Sequence, residues 1–299
     1  MPTTLSAHSN GFTPITVEFP SGDGTVVAHL YLPHDYDASK RYPAVAMAGS
    51  FSSVKEQMGG IYGGEMARRG LIGLAIDYRN YGQSSGAIRQ YEDPNSKAVD
   101  LSSALSFLRS RSDVAGAGLL GICTSGSAVM HAAANDQSVQ AVATVAGAFY
   151  EPAIQPGVKR RLATAEAAQE KYDTTGVVDM VPAYHPVNPR AVNTIPMPYY
   201  LSAKRGNVAE WRNEFAVMSY PAFISTDAVA KASKVIAPTL MIHTKLTAAP
   251  NQAVKVHDQL AGQKELEWFR GQHFSFYDHA DQVRHTADRL APFFTATLG

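Results

Sequence analysis

GICTSGS at 121–127 places the only cysteine of a 299-residue chain, Cys123, between two apolar stretches of different character. Upstream, AGAGLLGI (115–122) reads as a buried strand, and downstream, SAVMHAAA (127–134) opens an alanine-rich helix. A strand that turns abruptly into a helix strains the residue at the corner, so its neighbours must be small. Gly121, Ser125 and Gly126 meet that requirement. The corner side chain then stands above the carboxyl edge of a sheet, beside a helix N-terminus that favours a thiolate. A lone cysteine is also a good small hydrophobe for a core. The glycine-framed turn favours the nucleophilic position.

Working outward, PAVAMA (43–48), LIGLAI (71–76) and AVATVAGA (141–148) are continuous apolar runs, as expected of parallel strands covered on both faces. Ahead of them, ITVEF (15–19) and TVVAHLYL (25–32) flank the turn sequence SGDG and predict a β-hairpin. Met58, Ile61, Tyr62 and Met66 fall at helical spacing before Gly70, and Leu101, Ala104, Leu105 and Leu108 make a second stripe whose helix is capped by Asn95 or Ser96. Strand and helix return with PTLMIH (238–243), a helix near 251–261, ELEWF (265–269) and a last helix near 279–296. The expected architecture is α/β: a doubly wound, mostly parallel sheet opened by an antiparallel hairpin, with ligand chemistry at the carboxyl ends of its strands.

The alternation breaks at 151–220, where KRRLATAEAAQEKY (159–172), scattered prolines and the exposed-type aromatics Tyr184, Tyr199, Tyr200 and Trp211 occur. An insertion of this length reads as a lid over a core made of 1–150 and 221–299, or else as an edge subdomain or dimer surface.

Lys plus Arg and Asp plus Glu number 26 each, which disfavours nucleic acid and anionic membrane as partners. One cysteine allows no intramolecular disulfide, MPTTLSAHSNGFTP lacks a signal-type apolar stretch, and no run is long enough to span a membrane, so a cytoplasmic location is expected. GAGLLG (116–121) matches G-x-G-x-x-G but leads into a strand instead of joining a strand to a helix, and MGGIYGG (58–64) lacks the Lys-Ser/Thr of a P-loop. HFSFYDH (273–279) has donors without zinc-ligand spacing. Neither a cofactor nor a metal is expected.

The elbow, the strand pattern, GSFSSVKEQ (49–57) after the third strand and DYRNYGQSSG (77–86) after the fourth together resemble the α/β-hydrolase superfamily, in its dienelactone-hydrolase-like branch with cysteine as nucleophile. The resemblance spans nearly the whole chain. It implies an oxyanion hole formed by the backbone N–H groups of Thr124 and Phe51, with Ser50 as the neighbour that could displace Phe51. It also implies a histidine base after the last strand, and GQHFSFYD (271–278) puts His273 there. His131, His243, His257, His279 and His285 are competitors placed in or at the ends of regular elements. The chain departs from the pattern at the third member: TKLTAAPNQAVKV (244–256), after the strand ending at His243, contains no acid. Asn251 or Thr247 could orient the imidazole by hydrogen bond, and Glu151 or Asp278 could supply a carboxylate from elsewhere.

What the resemblance implies is a hydrolase of an ester, thioester or lactone working through a Cys123 acyl-enzyme on a small-molecule or carrier-bound acyl substrate. Similar members include polyketide transferases and trans-acting hydrolases of secondary metabolism, so acyl or polyketide transfer is the alternative on the same site. A ligand-binding protein or a lyase/cyclase that has lost the triad acid is the alternative of another class. A homodimer through the insertion is compatible with each.

Overall fold

The computed structural model describes residues 3–155, 157–194, 196–247 and 249–299. Strands β1 (Ile15–Ser21) and β2 (Gly24–Tyr31) form the expected hairpin, and β3 (Tyr42–Ala48), β4 (Ile72–Ile76), β5 (Val114–Ile122) and β6 (Val142–Val145) follow it. Two short strands, β7 (Met180–Val181) and β8 (Phe215–Ala216), make a separate ribbon before β9 (Thr239–His243) and β10 (Lys264–Trp268) rejoin the main sheet. The main sheet has eight strands in the order β1-β2-β4-β3-β5-β6-β9-β10. Among the described residues the antiparallel pairings of this sheet are β1 with β2 and β2 with β4, and its other pairings are parallel. The central strands are buried over nearly all of their length, which is why they read as unbroken apolar runs rather than alternating ones.

Two apolar layers cover the sheet. On one face lie α1 (Met58–Ala67) and the C-terminal α10 (Ala280–Leu298), with Met58, Ile61 and Met66 in one cluster with Val283, Leu290 and Phe294. On the other lie α2 (Pro94–Arg109), α3 (Ser125–Asn135), α7 (Ala228–Ala232) and α8 (Pro250–Gln259), contributing Leu101, Leu105, Val129, Val229 and Val256. The glycines of MGGIYGG serve close packing. A Cβ on Gly73 of β4 would lie 2.7 Å from the carbonyl of Gly63 in α1, and a Cβ on Gly63 would lie 2.6 Å from the Tyr31 ring. The second helix starts one turn position earlier than the sequence suggests. Asp93 caps it by accepting the Asn95 N–H at 2.9 Å, because Pro94 is suited to the first helical position and needs no donor of its own. Ser96 instead accepts from Arg79 at 2.8 Å.

Between β6 and β9 the chain leaves the sheet. This stretch holds α4 (Val158–Thr175), the β7–β8 ribbon, α5 (Pro198–Leu201), α6 (Tyr220–Ile224) and α7. Tyr220, Phe223 and Ile224 share an apolar cluster with Tyr184, Trp211 and Phe215, so packing within the insertion continues through α6. Near the end of the chain a short helix, α9 (Ser275–Asp278), precedes α10. It is held from three directions. Tyr62 donates its hydroxyl to the Phe276 carbonyl at 2.9 Å. Leu5 N–H donates to Asp278 O at 2.7 Å, and Ala280 N–H to Thr3 O at 2.9 Å. Among the described residues no helix is long and apolar enough to cross a membrane.

Candidate active site

Cys123 sits between the end of β5 and the start of α3 with φ +55°, the left-handed conformation that a non-glycine residue adopts at a cost of about 1–3 kcal/mol. Its own backbone holds it there: its N–H donates to Val145 O at 3.1 Å, and its carbonyl accepts from Gly126 at 2.9 Å and Ala148 at 2.7 Å. Small neighbours are required. A Cβ on Gly121 would lie 2.3 Å from the Ser125 carbonyl, and one on Gly126 would lie 3.0 Å from Gly147 Cα. The serines of the motif tie the corner down. Ser125 donates to the Gly49 carbonyl and bonds the Tyr78 hydroxyl at 2.8 Å, while Ser127 donates to Ala148 O at 2.8 Å and accepts from Tyr150 N–H at 2.9 Å.

The thiol is 8% exposed. Burial pushes the thiol up to about 11, against the opposing pull of the Tyr277 hydroxyl and of the backbone N–H groups of Thr124 and Phe51. Of the two loop positions weighed for the second amide, Ser50 or Phe51, Phe51 is the one whose N–H acts on the thiol. The Ser50 hydroxyl is bonded to the Tyr200 hydroxyl instead. The loop carrying Phe51 is heavily fixed. Tyr184 donates to the Phe51 carbonyl at 3.0 Å, Trp211 donates to Ser52 at 3.2 Å, and the Lys55 ammonium lies 2.8 Å from Asp77, 2.7 Å from Glu56 and 2.7 Å from Gln83.

His273 lies in the loop between β10 and α9, partly buried. Its Nδ1 is 2.8 Å from Thr247 Oγ1 and its Nε2 is 2.9 Å from the Tyr277 hydroxyl. Burial, reinforced by the neighbouring His243, lowers it to about 4, so it is neutral at physiological pH. Of the four residues weighed as the third member, Asn251, Glu151 and Asp278 are placed elsewhere. Asn251 is exposed in the first turn of α8. Glu151 is taken by Lys255 at 2.8 Å and Gln252 at 2.7 Å, which hold its carboxyl below the usual range. Asp278 is buried against Arg205, which grips it with two bonds of 2.7 and 2.6 Å and so ties the insertion to α9. The polar atom at Nδ1 is the Thr247 hydroxyl. Burial raises the thiol and lowers the imidazole, and both shifts favour the neutral pair over a thiolate–imidazolium pair.

The aromatics of the insertion, expected at the surface, are buried around this site. Tyr184 and Tyr200 stack with ring centroids 4.0 Å apart and planes 9° apart, and Trp211 tilts against Tyr200 at 5.4 Å. Tyr199 and Tyr277 meet edge to face at 5.0 Å. Three of these rings have a polar tip with a partner inside, Tyr184 on the Phe51 carbonyl, Tyr200 on Ser50 and Trp211 on Ser52, so their burial keeps a hydrogen bond. Burial raises Tyr150, Tyr184, Tyr200 and Tyr277 above the ordinary phenol range, and the nearness of Cys123 adds to each.

No protein-family model matches the chain. The protein PA2218 of Pseudomonas aeruginosa is 28% identical over 309 aligned positions, covering 92% of this chain and 78% of its own. Its crystal structure matches with a TM-score of 0.86 at 26% identity, covering 96% of this chain and 94% of that one. The α/β hydrolase GrgF from Penicillium sp. sh18 matches with a TM-score of 0.82 at 20% identity, over 96% of this chain and 99% of that one. This chain has the α/β-hydrolase fold. The thiohydrolase aneE of Aspergillus aculeatus is 35% identical over 132 aligned positions, 43% of this chain and 40% of that protein.

Three participants in the site carry weaker sequence signals than Cys123. Tyr277 stands four residues after His273, the spacing that brings side chains to one face of a helical turn, but a four-residue helix gives no periodicity to read. Tyr200 and Tyr184 arrive from an insertion whose path no pattern dictates.

Proposed function

We propose that this protein is a cysteine-dependent acyl hydrolase acting on thioester and ester carbonyls, with Cys123 as nucleophile, the Phe51 and Thr124 amides as oxyanion donors and His273 as general base. The observation that carries the reading is the Cys123 thiol held at positive φ on the strand-to-helix corner, and the Thr124 and Phe51 amides that pull this thiol down against burial support it. Donors that stabilise a thiolate in the resting site are placed to hold the carbonyl oxygen once sulfur has attacked, a contribution of a few kcal/mol to the transition state. Because the thiol is protonated at neutral pH, the base must remove its proton as the attack proceeds. The C–S bond forms as the carbonyl π pair moves to oxygen. Collapse expels the leaving thiolate or alkoxide, which takes the proton from His273, and water then cleaves the acyl-enzyme to the acid and the free thiol. The thiohydrolase relative and a thiol nucleophile, whose acyl-enzyme is itself a thioester, both favour thioester substrates. Residues 151–220 are proposed to act as the lid that walls the acyl pocket with tyrosines.

Acyl transfer to an acceptor other than water is the second reading, favoured by the burial of Cys123 beneath Tyr150, Tyr184, Tyr200 and Tyr277. The test incubates the protein with an acyl N-acetylcysteamine thioester and a p-nitrophenyl ester and follows thiol or phenolate release together with intact mass. Cys123→Ala is expected to lower kcat/KM by about 1,000-fold or more and to abolish the acyl adduct. Turnover that survives the substitution would remove the covalent mechanism.

A further inference from the structure

We propose that the Tyr277 hydroxyl is the proton conduit between Cys123 and His273, a catalytic group in its own right. The proposal rests on the reading of Cys123 as the nucleophile. Three observations support it. The phenol oxygen is 2.9 Å from Nε2, and the same hydroxyl is the side-chain group that pulls the buried Cys123 thiol down, so one phenol serves both the base and the nucleophile. Thr247, 2.8 Å from Nδ1, can accept the Nδ1 proton and leave Nε2 with a lone pair aimed at the phenol. And Tyr277 is positioned rigidly: its ring meets Tyr199 at 5.0 Å and Phe274 at 5.3 Å, on a helix whose backbone is clamped by Tyr62 and Leu5.

The step balances as a concerted double transfer. The S–H bond breaks and its proton bonds to the phenol oxygen, while the original phenol proton moves to Nε2. The electron pair left on sulfur attacks the acyl carbon, and the phenol ends as it began. The titratable groups that interact with the thiol are Tyr150, Tyr184, Tyr200 and Tyr277, and the Lys97 charge lowers it as well. A neutral conduit suits this buried setting, because neither a free thiolate nor an isolated imidazolium has to persist before the carbonyl is attacked.

Tyr277→Phe keeps the ring and removes the hydroxyl. It is expected to slow acylation of Cys123 about 100-fold, to move the pH profile of iodoacetamide alkylation at Cys123 to higher pH, and to change the solvent proton inventory of acylation from two protons in flight to one. An unchanged acylation rate with an unmoved alkylation profile would overturn the conduit and leave Tyr277 a packing residue. If Tyr277→Phe loses its melting transition, 3-fluorotyrosine at 277 decides. Its more acidic, nearly isosteric phenol moves the alkylation profile to lower pH if it donates to sulfur and leaves it in place if it only packs. The alkylation readout needs no turnover. If it moves as expected while no acyl donor labels Cys123, the conduit stands and the acyl reading fails. If donors label Cys123 but the profile does not move, the acyl reading stands and the conduit fails.

Discussion

The two ends of the site lie at the same sheet edge and are built from opposite materials. On the β4 side the loops are held by buried charge. Lys55 joins Asp77 and Glu56, Arg79 lies 2.7 Å from Asp100, and Lys97 lies 2.6 Å from Glu92, with these side chains at most 12% exposed. On the β9–β10 side His273 meets only hydroxyls, from Thr247 and Tyr277. Burial lifts Glu56 and Asp100 above the ordinary carboxylate range even with cations beside them. Such clusters therefore contribute geometry more than net stability, and what they fix is the loop that carries Phe51. The uncharged side leaves proton positions free to change. One half of the site is a fixed frame for an oxyanion, and the other is the part in which bonds to hydrogen move.

The contrast can be broken from either side. The largest effect is expected on acidification. Burial first, with neighbouring cations or histidines adding for some, lowers His29, His131, His243 and His273 from 6.5 to about 4. A depressed histidine contributes stability that is complete above its unfolded value of 6.5 and is lost as pH falls through 4. At about 2 kcal/mol apiece, and less for His29 with its 15% exposed side chain, the loss is enough to unfold the domain. Urea midpoints measured between pH 7 and pH 4 check it; a flat profile would contradict the burial of these four imidazoles in the neutral form. Next, Lys55→Met strands Asp77 and Glu56 without their cation and is expected to cost about 3–5 kcal/mol by thermal or urea unfolding. The smallest change is the most informative. Thr247→Asp puts a carboxylate where the hydroxyl now meets Nδ1, and should raise the His273 titration by about 1–3 pH units, read by NMR of the imidazole, making the second half resemble the first.

The sequence made the first half legible and much less of the second. Continuous apolar runs gave the parallel strands because strands buried on both faces have no polar side to show. GICTSGS gave the corner because only small residues fit within 3.0 Å of the neighbouring backbone there. The acid-free stretch after His243 was equally readable. The residues that answer it were not all so, since hydroxyls such as Thr247 and Tyr277 are common and only their spatial meeting gives them meaning. The insertion aromatics misled for a related reason. A tyrosine scattered among prolines and charges looks exposed until its hydroxyl is known to have an internal partner.

The clamp of Leu5 on Asp278 and of Ala280 on Thr3 joins residues far apart in the chain. The turn that carries Tyr277 cannot be secured until it has followed Cys123 out of the ribosome, so the thiol at the elbow is made well before its cover. During biogenesis Cys123 is therefore an open thiol on an incomplete sheet, and the period before closure is when it is most vulnerable to oxidants and electrophiles.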